Sequence, residues 1–214
     1  RTMINNYMIK VCGITDEQNF SELKKYPIDY FGFIFYDKSP RYILNNPDHN
    51  FIKNINNKVA VFVNEEIDKV LSVLETYNFS HVQLHGNEGS DYCIKLKKKG
   101  IKIIKSYLIR NEEDLESIKM DLDSVDYLLF DYKSDNYGGS GKTFDWKVLN
   151  NKVYDKPFFL SGGLSLDNIN NIKIFDDNQM LFGLDLNSKF EISPGLKDVE
   201  KISKLFNLNL WNIM

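Results

Sequence analysis

The chain has 214 residues, 43% of them hydrophobic, with 27 basic and 30 acidic side chains and a net charge of −3. That length and apolar content suit one folded domain spanning residues 1–214 and exclude a disordered chain, while the near-balanced charge gives no footprint for nucleic acid or an anionic membrane. Cys12 and Cys93 are too few for a disulfide scaffold, and no run of about 18 apolar residues exists to span a bilayer. The polar N-terminus lacks the apolar core of a signal peptide, so a cytoplasmic location is expected. Residues 1–7 read as an N-terminal extension or cloning remnant, and residues 207–214 as a C-terminal tail.

Short apolar runs rich in Ile, Val, Phe and Leu recur along the chain. They are Met8–Val11, Tyr30–Phe35, Lys58–Phe62, His81–Leu84, Lys102–Lys105, Tyr127–Phe130, Pro157–Leu160 and Met180–Leu184. Near-continuous runs of this kind suit strands buried on both faces. Their starts lie 21 to 30 residues apart. That spacing leaves room for a helix between each pair, the rhythm of a parallel α/β sheet and not of a sandwich. Helical signals fall in the gaps: a start after Thr15, then Glu66–Tyr77, Ser90–Lys99, Asn111–Lys119, Asp167–Phe175 and Asp198–Phe206. Eight strands alternating with about eight helices predict a closed (β/α)8 TIM barrel of eight parallel strands. An open doubly wound sheet is the alternative on pattern alone.

A barrel places its binding and catalytic side chains just after the strands. Strand 1 ends in Cys12-Gly13, strand 4 in Gln83-Leu84-His85-Gly86, strand 6 in Asp131, and strand 7 in Ser161-Gly162-Gly163. Strand 2 runs into Lys38-Ser39-Pro40-Arg41-Tyr42, and strand 8 into Asp185, Asn187 and Ser188. Each candidate reads two ways. Cys12 is a small core residue or, pointed at the mouth, a general base acting as thiolate. Asp131 is a salt-bridge residue or a general acid. Arg41 is a solvated loop charge or a bidentate clamp for a carboxylate. His85 is a structural histidine or a site residue. The pair Gly162-Gly163 is a tight turn or, with the eighth loop, a phosphate cradle. Strands 3 and 4 carry no second glycine pair, so a substrate with one phosphate is expected. Cys93 lies mid-helix and reads as core. His49 and His81 show no ligand spacing, so no metal is implied. The segment Gly138-Gly139-Ser140-Gly141-Lys142-Thr143 fails the P-loop pattern, because Asn136 stands where the first Gly is required. Its glycines suit a lid over the mouth or a plain flexible loop.

Taken together these segments resemble phosphoribosylanthranilate isomerase. The matching residues are Lys10-Val11-Cys12-Gly13-Ile14-Thr15, Lys38-Ser39-Pro40-Arg41-Tyr42, Val82-Gln83-Leu84-His85-Gly86, Asp131, Tyr137 through Trp146, Leu160-Ser161-Gly162-Gly163-Leu164, Asp185 and Pro194-Gly195. The resemblance implies an Amadori rearrangement of N-(5-phosphoribosyl)anthranilate in tryptophan biosynthesis. Asp131 would protonate the ring oxygen and Cys12 would take the proton from C2. Arg41 would hold the anthranilate carboxylate, and the seventh and eighth loops the phosphate. Gln83, His85, Gly162, Gly163, Asp185, Asn187 and Ser188 complete the expected binding residues. No cofactor is expected, because the substrate nitrogen serves as electron sink. The partner expected is a phosphorylated small molecule, with the chain a monomer or homodimer. One departure stands out: Asn187 and Lys189 occupy positions where the family has Ser and Gly. Strain at Lys189 is expected if that position needs φ > 0. Two other readings are a non-catalytic sugar-phosphate-binding barrel and the histidine-pathway isomerase. The second calls for a carboxylate in place of Cys12.

Overall fold

A computed structural model describes residues 7–116, 118, 122–132, 146–150 and 155–208. Eight strands pair in chain order and close on themselves: β1 (Met8–Cys12), β2 (Tyr30–Ile34), β3 (Lys58–Phe62), β4 (His81–Leu84), β5 (Lys102–Ile109), β6 (Tyr127–Tyr132), β7 (Phe158–Ser161) and β8 (Leu181–Leu186). All eight pairings are parallel, including β8 with β1. The open sheet is thereby excluded, and the eight apolar runs are the eight staves.

Side chains alternate across each strand, so alternate residues serve opposite faces. Ile9 and Val11 of β1 join the large outer core, while Met8 packs into a separate cluster with Val59, Ile104, Leu129 and Phe159. That second cluster plugs the barrel from within. Above it the interior turns polar, with Lys10, Gln83, Ser161 and Asp185 buried. Each large apolar side chain that the plug and outer core bury is worth about 1.5–3 kcal/mol, and the polar layer spends some of that gain to build a site.

The outer shell holds α1 (Glu17–Leu23), α2 (Ile67–Thr76), α3 (Ser90–Lys97), α4 (Glu112–Glu116), α5 (Lys147–Asn150) and α6 (Val199–Phe206). The expectation of a helix between every strand pair fails twice. Between β2 and β3 run only 3-10 segments, Ile43–Asn45 and His49–Asn54. Pro47 disfavours α geometry at Asn46, and the Asn46 side chain accepts from the Asp48 amide instead. Between β7 and β8 the expected helix at Asp167–Phe175 is a 3-10 stretch, Ile169–Phe175. There Asn168 bonds the Ser165 amide and the Gly163 carbonyl, and Ile169, Ile172 and Ile174 crowd an α turn. The helix start expected after Thr15 is found: Asp16 caps α1, its side chain accepting from the Asn19 amide. After β8 comes a short hairpin, β9 (Glu191–Ser193) with β10 (Leu196–Lys197), which the sequence pattern does not predict. The anticipated lid at 138–142 and the tail beyond residue 208 lie outside the described residues.

Candidate active site

The ends of the strands surround a cavity of about 600 Å³, and every one of the candidate residues lines it. Cys12, Gln83, Asp131 and Asp185 reach it from inside the barrel, and Arg41, Gly162, Gly163, Asn187 and Ser188 from the loops above. His85 stands just past β4 on the same face as Gln83.

Cys12 is buried, with 3% of its surface exposed, yet it borders the cavity. Its room exists because Gly32 pairs with it across β1 and β2: a Cβ on residue 32 would sit 2.6 Å from the Cys12 sulfur. Burial pushes the thiol up from its ordinary value, and the neighbouring ammonium of Lys10 opposes that push. Lys10 is two residues back on the same strand face and fully buried. Its Nζ donates to Asp185 Oδ1 at 2.7 Å. Asp185 Oδ2 accepts from Ser161 Oγ at 3.1 Å. Burial pulls Lys10 down, but Asp185 and Cys12 outweigh it, so the ammonium is held above its usual value.

Asp131 stands on β6, separated from β1 by β7 and β8. Its Oδ2 lies 3.2 Å from His85 Nε2, and Gln83 Nε2 lies 3.1 Å from His85 Nδ1. If the Gln83 amide donates to Nδ1, the ring is neutral and its Nε2–H donates to Asp131.

Arg41 differs from the free carboxylate clamp that its position suggested. Its Nε donates to Glu191 Oε1 at 2.9 Å and its Nη2 to Oε2 at 2.6 Å. One edge of the guanidinium is therefore already taken by an internal carboxylate. Glu191 also accepts from Lys197 Nζ at 2.6 Å, and Lys197 donates on to Asn187 Oδ1 at 2.8 Å. The Asn19 side chain fixes the Lys197 backbone through both its N–H and its carbonyl. Lys10, Glu191 and Lys197 are the functional candidates that sequence reasoning missed. Lys10 carried a signal, a lysine inside an apolar strand two residues before Cys12. Glu191 and Lys197 carried none, since the hairpin that presents them has no periodic pattern.

Burial pushes the Glu191 carboxyl up, but Arg41 and Lys197 outweigh it and hold it below the ordinary carboxylate value. A depressed native value means the contribution to stability is full above the unfolded carboxyl value and lost as pH falls through the native one. Glu191→Gln is accordingly expected to flatten the fall of the unfolding midpoint between about pH 5 and pH 3. Thermal melts across that range check it; an unchanged acid limb would contradict the assignment.

At the opposite wall, Gly162 and Gly163 have φ of 89° and 70°, the left-handed region that glycine enters without strain. A Cβ on Gly162 would also collide with the Tyr132 backbone, so β6 and the seventh loop touch main chain to main chain. The strain foreseen at Lys189 is absent: outside glycine, only Asn64 and Asn78 have positive φ among the described residues. Lys189 sits instead in a 3-10 turn, Ser188–Phe190, exposed and lining the cavity. Its side chain needs no left-handed backbone there. Among the described residues, no group of three His, Cys, Asp or Glu side chains is arranged to hold a metal ion, and no helix is long and apolar enough to cross a membrane.

Comparison with known proteins agrees with this geometry. The profile of the family described as N-(5'phosphoribosyl)anthranilate (PRA) isomerase matches residues 9–208. The chain is 41% identical over 199 residues to the N-(5'-phosphoribosyl)anthranilate isomerase of Parabacteroides distasonis, covering 91% of this chain and 90% of that one. Among solved structures, the phosphoribosyl anthranilate isomerase of Thermotoga maritima superposes with a TM-score of 0.79 at 34% identity, over 97% of this chain and all of that one. A second, an isomerase in complex with reduced 1-(o-carboxyphenylamino)-1-deoxyribulose 5-phosphate, has a TM-score of 0.76 at 31% identity, over 92% of this chain and 94% of that one. With the profile spanning nearly the whole barrel, the chain belongs to the N-(5'-phosphoribosyl)anthranilate isomerase family.

Proposed function

We propose that this chain catalyses the Amadori rearrangement of N-(5'-phosphoribosyl)anthranilate to 1-(2-carboxyphenylamino)-1-deoxyribulose 5-phosphate, in the cytoplasm, as a step of tryptophan biosynthesis. The observation that carries the assignment of roles is that a buried thiol and a carboxyl group, Cys12 and Asp131, border one cavity with a glycine cradle beside them. Asp131 gives its proton to the furanose ring oxygen. The bond from that oxygen to C1 breaks, and the amine lone pair forms a protonated Schiff base. Cys12 as thiolate then takes the proton from C2. The C–H electron pair becomes the C1=C2 bond, and the iminium electrons return to nitrogen. The enolamine so formed tautomerises to the ketone. Charge is stored on the substrate's own nitrogen throughout, so the sequence of steps requires no cofactor.

The phosphate lies against the seventh and eighth loops, where Gly162, Gly163, Asn187 and Ser188 offer main-chain and side-chain donors. Lys189 is close enough along the same wall to add its charge. Arg41 holds the anthranilate carboxylate with Nη1, because Glu191 already takes Nε and Nη2. Asp185, His85 and Gln83 line the ribose between these two anchors. Every one of these groups comes from a single chain, so the chemistry is the same in a monomer or a homodimer.

The test is turnover of authentic substrate, followed by loss of anthranilate-type fluorescence. Failure of the full chain to convert it would overturn the proposal. Arg41→Ala is expected to raise KM by roughly tenfold to a hundredfold, the scale of a lost charge-assisted hydrogen bond. An unchanged KM and kcat would remove Arg41 from the site.

A further inference from the structure

Resting on the reading of the seventh and eighth loops as the phosphate cradle, we propose that Glu88 fills a second oxyanion site, between the third and fourth loops, with its own carboxylate. The seventh and eighth loops are thereby left as the pair at the mouth that is free to take a phosphate. The carrying observation is the set of donors around that carboxylate. Glu88 Oε1 accepts from the Asn64 amide at 2.7 Å, and Oε2 accepts from the Gly86 amide at 3.0 Å. Lys105 Nζ donates to Oε2 at 3.2 Å. Two main-chain amides and an ammonium converging on one anion are the kind of donor set that holds a phosphate. The group is closed in, with the Lys105 side chain 4% exposed and that of Glu88 3%.

Topology and backbone support this reading. In the ring of eight strands, β3 and β4 stand opposite β7 and β8. Asn64 lies two residues past the end of β3 with φ of 51°, and Gly163 lies two residues past the end of β7 with φ of 70°. The same left-handed backbone thus follows two opposite strands, and asparagine is one of the few residues with a side chain that enters it readily. A Cβ on Gly86 would collide with the Asn64 side chain, so the two loops approach closely enough for both amides to reach one carboxylate. Asn64 Oδ1 accepts from the Asn87 amide at 2.6 Å, which ties the loops together independently of Glu88. Lys105 also donates to the Gly86 carbonyl at 2.6 Å, so its ammonium is anchored without the carboxylate. The cavity beside Glu88 shares His85 and Leu108 with the substrate cavity, which gives an anion a way in. The absence of a second glycine pair is therefore not an absence of donors. The donors are present, and an internal anion occupies them.

The experiment follows the backbone amide resonances of the full chain as inorganic phosphate is added. In the wild type, the Gly162 and Gly163 amides are expected to shift and those of Asn64 and Gly86 to stay in place. Glu88→Ala leaves two amides without their acceptor and the buried Lys105 without its counter-ion. In that variant phosphate is expected to move the Asn64 and Gly86 amides saturably, and to raise the melting midpoint more than it does in the wild type. Adding Lys105→Met is expected to weaken this binding at least about tenfold, the scale of a lost charge-assisted hydrogen bond. Glu88→Ser, which keeps a hydroxyl for one of the amides, carries the same test should Glu88→Ala not fold. Asn64 and Gly86 amides that stay still in both variants, or that respond as strongly in the wild type, would overturn this inference and leave the cradle standing. Silence at Gly162 and Gly163 would instead remove the cradle reading, while the Asn64 and Gly86 response in the variants still decides whether Glu88 fills an oxyanion site.

Discussion

Cys12→Ser and Asp131→Asn are each expected to lower kcat by about a hundredfold to ten-thousandfold, the range that a positioned acid or base contributes, without a comparable change in folding. The serine hydroxyl fills slightly less space than the thiol at a site where Gly32 leaves room for a side chain, so packing is kept. What is lost is ionisation: the hydroxyl does not reach its anionic form in the working pH range, so nothing accepts the C2 proton. Asparagine at 131 keeps the shape of the carboxyl and still reaches His85, 3.2 Å away in the native chain. It has no acidic proton to give the ring oxygen. The fluorescence assay reads both losses directly, and circular dichroism with a thermal melt reads the fold. Wild-type rates in either variant would exclude that residue from proton transfer. The two losses should not multiply in the double variant, since residues that act as one unit are not additive.

The eight strands were legible because barrel staves are buried on both faces and read as unbroken apolar runs. The mouth was legible because polar residues follow the runs, directly so for Cys12 after Val11 and Asp131 after Phe130. Two kinds of feature were not. Local hydrogen bonding by Asn46 and Asn168 converted expected helices into 3-10 turns, and no periodicity records such side-chain to backbone competition. The second is the identity of ion-pair partners. Arg41 looked free for substrate because Glu191 lies 150 residues away in the chain. Lys10 and Asp185 are 175 residues apart and meet only because β8 closes onto β1, which puts them in register. Barrel closure, a global property, decides which charges are neighbours. The same closure gives Asp185 internal partners beside its place in the cavity wall. Its position after strand 8 suggested contact with substrate, and its two oxygens prove to be held by Lys10 and Ser161.

Asp185→Ala is therefore expected to cost stability as well as activity, by about 3–5 kcal/mol, the scale for removing one partner of a buried ion pair. An aspartate that served only to bind a sugar hydroxyl at the rim would cost within about 0.5 kcal/mol when truncated. The difference arises because Lys10 has no exposed surface and cannot turn to water when its carboxylate is gone. Ser161 Oγ loses its acceptor at the same time, adding an unsatisfied hydroxyl in the barrel interior. Replacing both partners, Lys10→Met with Asp185→Leu, is expected to recover most of the loss, since an apolar pair of similar volume needs no desolvation of charge. Denaturant unfolding of the wild type, the single variant and the double variant measures all three terms. A single variant as stable as the wild type would show that Asp185 is not the counter-ion of Lys10. Recovery of stability in the double variant without recovery of turnover separates the two duties of the pair.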